Sequence, residues 1–237
     1  MKKKHKHLFR FILAVACTAF AATLFLSAKP YTPVRDDNVF SHHKNSQKKI
    51  ALTFDDGPHP VYTAQILDLL AEYNIKATFF LVGDNVQKYP NLVLREENEG
   101  HELGNHTLTH PKIAKLTTQA LQLEILKNER VIYELTDERT KLFRPPEGLC
   151  TQRISDLVSS LDYNIILWNI DTLDWAHNKS EEIISLVTNK IQPGDILLFH
   201  DYIVGESPTI DALKIIIPSL LKEGFQFVTV SELIRSN

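Results

Sequence analysis

Cysteine is almost missing. Cys17 and Cys150 are the two in the chain, and Cys17 lies in an N-terminal apolar run, so no disulfide framework can staple the folded body. Thiolate zinc sites are excluded for the same reason. Glycine is sparse, with 8 in 237 residues, and no glycine-rich fingerprint follows a strand to mark a dinucleotide site. A basic face is also lacking. Residues 1–29 hold six Lys and Arg and no acid, which leaves residues 30–237 with 20 bases against 29 acids. That acidic body argues against a nucleic-acid partner. Long hydrophobic runs are confined to residues 11–28, which carry no charge and follow a basic stretch.

The first 28 residues therefore read as a signal or anchor segment, set aside from the fold. An uncleaved membrane anchor is favoured, at ~1.5 Å per residue just long enough for a ~30 Å core. A cleaved signal peptide and a lipid-modified Cys17 are the other readings. The first two place the body outside the cytoplasm, with the lysines staying inside. Residues 29–47 are polar and proline-bearing and read as a linker, in which His42-His43 are expected to be solvated. Residues 48–237 suit one domain of ordinary size.

From Lys48 onward strand and helix patterns alternate. Strands are expected at 50–54, 77–82, 102–105, 142–144, 164–170, 195–199 and 225–230, and helices at 61–73, 85–98, 117–135, 152–161, 181–191 and 210–222. Seven or eight βα units with continuous apolar strands imply a parallel sheet covered on both faces. The expected fold is a distorted or incomplete (β/α) barrel of seven to eight parallel strands; a doubly wound open sheet is the alternative.

Polar residues collect at the strand ends. Thr53-Phe54-Asp55-Asp56-Gly57-Pro58 closes the first strand. Its paired carboxylates would point to opposite faces of a regular strand, so they share a site only if the chain bends there. An acidic turn is the plain alternative. His106 and His110 stand four apart, close enough for both imidazoles to reach one side. With a carboxylate they form a donor set for a divalent metal, leaving a position for water. Arg144 ends another strand before two prolines, Asp171 and Asp174 follow the next, and His200-Asp201 follow an apolar run. Singly, these fit a surface ion pair, a helix start beside a packed Trp175, and a core histidine. Together they line one rim.

These five segments resemble, in order, the motifs of the polysaccharide deacetylases, carbohydrate esterase family four, across nearly all of residues 48–237. The resemblance implies one divalent ion, zinc first and Co2+, Ni2+ or Mn2+ as substitutes, held by Asp56, His106 and His110. It implies Asp55 as general base, Arg144 as its orienting partner, and His200 as general acid held by Asp174. The backbone N–H of Glu147 would meet the oxyanion, and Trp175, Leu198 and Pro146 would line the acetyl pocket. The implied substrate is an N-acetylated amino-sugar polymer, peptidoglycan first, with chitin oligomers, another N-acetylglucosamine polymer or O-acetylated xylan as alternatives. A monomer is expected. The rival of another class is a catalytically silent glycan-binding module on the same scaffold. Glu147 departs from the family, which commonly has an aromatic there; a backbone donor is indifferent to this, but substrate preference is not.

Overall fold

A computed structural model of the chain describes residues 37–44, 47–176 and 178–235. The expected signal or anchor segment, Cys17 included, lies outside the described residues. Among the described residues no helix is long and apolar enough to cross a membrane.

The central strand is β2 (Lys49–Asp55), buried from Ile50 onward. Among the described residues nine strands form one sheet. Its hydrogen-bonded path begins at β1 (Val39–Phe40) and passes through β6 (Asn164–Ile166), β5 (Leu142–Phe143), β4 (Glu102–Asn105) and β3 (Thr78–Leu81). It continues through β2 to β8 (Ile196–His200) and β7 (Ile170–Asp171), while β9 (Gln226–Phe227) pairs with the start of β2. Every one of these pairings is parallel. Only residues 167–169 separate β6 from β7, and the four steps from Ile166 to Ile170 span ~14 Å at most. Strands near opposite ends of the path must then be neighbours, so the sheet curls into an incomplete barrel. This is the expected fold.

Period-two alternation sorts the strand residues into two layers. Leu52, Phe54, Phe79, Leu197 and Phe199 face outward. They pack under the apolar sides of α1 (Tyr62–Glu72), α6 (Ser180–Lys190) and α7 (Thr209–Lys222) through Ile66, Leu70, Val187, Leu213 and Ile217. Ala51, Phe80, Leu142, Ile166 and Ile196 face inward. Counting on by twos along β2 and β8 puts Thr53, Asp55, Leu198 and His200 on the inner face. Outward packing holds the barrel together, and inward residues at the C-terminal rim are free for chemistry.

Four local expectations are corrected. The strand at 164–170 is two strands, because Asn169 leaves β6 and bonds Asp195 and the Ile196 N–H (2.6 and 2.9 Å), which draws the chain onto β8. The helix at 85–98 is α2 (Gly83–Lys88) and α3 (Pro90–Asn98), since Pro90 cannot donate inside a helix but suits its first turn. The strand at 225–230 stops early and gives way to α8 (Val230–Arg235). Its β-branched residues mask an N-terminal cap, Thr229 accepting from the Glu232 N–H at 3.3 Å. In residues 29–47, Val39 and Phe40 pair with Ile165 and Ile166, and His43 N–H donates to Gly194 O at 2.8 Å. That part of the expected linker is barrel wall.

α8 plugs the bottom of the barrel, with Val230 and Leu233 fully buried in the inner cluster. The inner layer has no spare room near Gly104, where an added Cβ would fall 2.4 Å from the Phe80 ring. Gly104→Ala is expected to cost ~2 kcal/mol through this overpacking. Thermal unfolding should show a midpoint lower by roughly 5 °C.

Candidate metal centre and active site

Asp56 leaves the strand with φ 74, in the left-handed region. The chain bends between the two aspartates, which brings both carboxylates to one site. Asn85 Nδ2 donates to Asp56 O at 2.8 Å and fixes the turn. His106 follows β4, with its N–H on Leu81 O, and His110 ends a loop in which Thr107 and His110 also have positive φ. A tight loop, not a helical turn, gathers the imidazoles.

Asp56 Oδ1 lies 3.4 Å from His106 Nε2 and 3.3 Å from His110 Nε2. The three residues' ligand atoms all fall within 4.8 Å of one another. A tetrahedral shell with ~2.0–2.1 Å bonds separates its ligands by ~3.3 Å, so the donors fit a zinc-sized ion. Two further observations support the fit. Asp56 Oδ1 is buried without a hydrogen-bond partner among the described residues. His106 Nδ1 sits 2.7 Å from Arg144 O, a carbonyl that only an N–H can meet, so Nε2 keeps its lone pair.

Burial acts to raise the Asp56 pKa, but the adjacent His106 and the charges of His110 and His200 outweigh it and hold it below the usual value. Burial likewise lowers His106, and Asp55 and Asp56 overcome this and raise it. For His110, burial and the nearby His106 win, and its pKa falls. Ligation needs neutral imidazoles, so protons compete with the ion as pH drops.

Arg144 is fully buried, not the surface pair that its place before two prolines allowed. Its Nη1 donates to Asp55 Oδ1 and to Thr53 Oγ1, both at 2.7 Å, and its Nε to Ile166 O at 3.0 Å. Asp55 is thereby held through Oδ1, while Oδ2 stands 3.8 Å from His106 Nε2.

Across the cleft, Asp174 is completely buried beside His200. Asp174 Oδ1 accepts from His200 Nδ1 at 2.7 Å, and Oδ2 from the His200 N–H (2.8 Å) and Thr209 Oγ1 (2.7 Å). Burial works to lower the His200 pKa, but the Asp174 hydrogen bond and charge, with Asp55 and Asp56 beyond, push it up to about 9. The pairing with Asp174 favours the charged form of the ring.

The cleft between these groups measures about 460 Å³, and Trp175, Leu198, Glu147, Asp171 and Trp168 complete its walls. Arg144 and Asp174 are buried behind it, and Pro146 is buried beneath Glu147. A larger hollow of about 610 Å³ at the opposite strand ends is lined by residues such as His101, Arg139 and Lys141 and by none of the site residues. Trp168 was hidden from sequence reasoning inside the expected strand at 164–170; its ring lies 5.5 Å from the Arg144 guanidinium. The spacing Trp168-Asn169-Ile170-Asp171 carries no signal that would have found it.

A barrel whose C-terminal rim joins an Asp-His-His donor set to a spare carboxylate and a buried Asp–His pair belongs to the metal-dependent hydrolases. Residues 42–166 match the polysaccharide deacetylase family model. A peptidoglycan-N-acetylglucosamine deacetylase of Bacillus cereus is 42% identical, over 81% of this chain and 90% of that protein. Among solved structures, the Bc1960 peptidoglycan N-acetylglucosamine deacetylase superposes with a TM-score of 0.83 at 35% identity, covering 88% of this chain and 98% of that one. A family 4 acetyl xylan esterase from Clostridium thermocellum, solved with cobalt, gives 0.74 at 36% identity over 78% and 90%. The chain belongs to the polysaccharide deacetylase family, and it is a deacetylase hydrolase of that family.

The Asp174–His200 pair generates a titration prediction. His200, raised to about 9, stabilises the fold fully below its ordinary pKa of ~6.5 and loses that contribution as pH climbs through the raised value. In Asp174→Asn, NMR titration of the ring should show the midpoint falling back by at least ~1 unit. An unmoved midpoint would contradict the assignment.

Proposed function

We propose that this chain is a zinc-dependent N-deacetylase acting on N-acetylglucosamine residues of peptidoglycan outside the cytoplasm. The observation that carries the proposal is the Asp55 carboxylate, pinned through one oxygen by a buried arginine and left with the other beside the donor set. The names of its close relatives support the substrate. The basic and apolar N-terminal segment supports an anchored or secreted enzyme within reach of the wall, and a monomer suffices for the chemistry.

Asp56, His106 and His110 would hold the ion. When bound, it supplies an acidified water and a polarised carbonyl. Asp55 Oδ2 takes a proton from the water as its oxygen bonds to the acetamide carbon. Arg144 keeps Oδ1 occupied, so the receiving oxygen is always the one facing the substrate. The Glu147 N–H donates to the carbonyl oxygen as negative charge builds there. His200 gives its proton to the departing nitrogen as the C–N bond breaks, and Asp174 holds the ring in position and keeps it charged. Trp175 and Leu198 enclose the acetyl methyl. The products are acetate and a glucosamine residue with a free amine. An inert glycan-binding barrel would lack Asp55 or a ligand, and all four side chains are present.

Asp55→Asn should bind one zinc per chain by calorimetry, yet release amines from peptidoglycan ~10²–10⁴-fold more slowly. Normal turnover by this variant would refute the proposed base. His200→Ala should impair amide substrates far more than activated acetyl esters, whose leaving groups need no proton. Equal losses on both would remove its role as acid.

A further inference from the structure

Glu147 is the one cleft-lining carboxylate without a task in the chemistry or a bond to its side chain among the described residues. Asp55 is held by Arg144, Asp56 serves the ligand set, and Asp171 Oδ1 accepts from the Leu173 N–H at 2.9 Å. Glu147 is exposed, takes part in no ion pair among the described residues, and belongs to the lining of a cleft that contains neither lysine nor arginine. The main chain at this position is constrained. Glu147 stands at φ 58 between buried Pro146 and Gly148. At Gly148 even a Cβ would fall 2.6 Å from Trp168, so the turn is clamped against the cleft wall.

On the proposed mechanism the Glu147 N–H meets the reacting carbonyl, so a bound polymer passes close to this carboxylate and covers it. Taking a carboxylate out of water is costly unless it meets a cation or several donors. An ammonium group answers with a charge-assisted hydrogen bond, which a sugar hydroxyl matches only in part. The reaction itself makes such groups. We infer that Glu147 is a specificity-determining residue that binds the free ammonium of an already deacetylated sugar near the acetamide being cut, so that partly deacetylated chains are preferred substrates. The inference rests on the deacetylase proposal and concerns only which chain is chosen. Its consequence is deacetylation in blocks rather than at scattered sugars.

The test compares matched N-acetylglucosamine tetramers, one fully acetylated and the others with a single free amine at a defined ring, by kcat/KM for acetate release. The zinc-loaded protein is used in low salt. At least one amine-bearing isomer should be preferred by about five-fold, as for a partly exposed ion pair. The preference should fade at ~1 M salt, where the Debye length is ~3 Å. In Glu147→Gln the ratio should fall to about one, with Glu147→Asp keeping part of it. Calorimetry with the fully deacetylated tetramer should show weaker binding by Glu147→Gln, a readout independent of turnover. Equal kcat/KM for all isomers, preference for the fully acetylated one, or a preference that survives in Glu147→Gln overturns the inference and leaves the deacetylase proposal standing. Absence of acetate release from every tetramer and from peptidoglycan would instead bring down the deacetylase proposal, and the inference with it.

Discussion

The structure depends on one buried cation. The Arg144 guanidinium has no solvent exposure, and burial pulls its pKa down while Asp55 pulls it back up. A charge in that position is tolerable only if its donors are engaged. They reach Asp55, Thr53, Ile166 O and, at 3.2 Å, Leu167 O, while Phe80 lies 4.1 Å from the guanidinium carbon. Thr53 passes the bond on to Leu197 O at 2.6 Å. One side chain thus joins β2, β6 and, through Thr53, β8. Losing it would leave several buried acceptors unmet along with Asp55.

The same residue also holds one member of the Asp-His-His cluster from its main chain. Its carbonyl holds His106 Nδ1, and its N–H donates to Asn105 O at 3.0 Å. Asn105 is held in turn. Its Oδ1 accepts from Asn128 Nδ2 at 3.0 Å and from the Thr107 N–H at 2.9 Å, and its Nδ2 donates to Ile125 O at 2.9 Å. Asn128 and Ile125 belong to the helix Thr118–Thr136. Asn128 Oδ1 is left buried without a partner among the described residues, but the bonds that are made tie Asn105, the neighbour of His106, to that helix, so a helix outside the barrel helps position an imidazole inside it.

Much of this was legible in the sequence because barrel strands are short, apolar on both faces, and end in polar residues. The strand at Ile50–Phe54 and the clustering of Asp55, His106 and His200 at strand ends follow from period and punctuation alone. The placement of Arg144 does not, since an arginine before two prolines reads equally as a surface turn; only the third dimension shows that Phe80 and Trp168 cover it. Trp168 and Asn169 share the obstacle. Their neighbours are β-branched and apolar, so local pattern continues the strand, while a long-range bond to Asp195 breaks it. Thr229 and Glu232 did carry a capping signal, outweighed by the β-branched run around them. Val39-Phe40 is too short to show any period.

Those two residues have a consequence for where the domain begins. Val39 and Phe40 occupy the outer edge of β6, and without them Ile165 and Ile166 would present unmatched amide and carbonyl groups to solvent. Bare strand margins recruit strands from other molecules. A protein shortened to Lys49 would keep every side chain of the cleft, yet its barrel would have an adhesive flank and a tendency to self-associate.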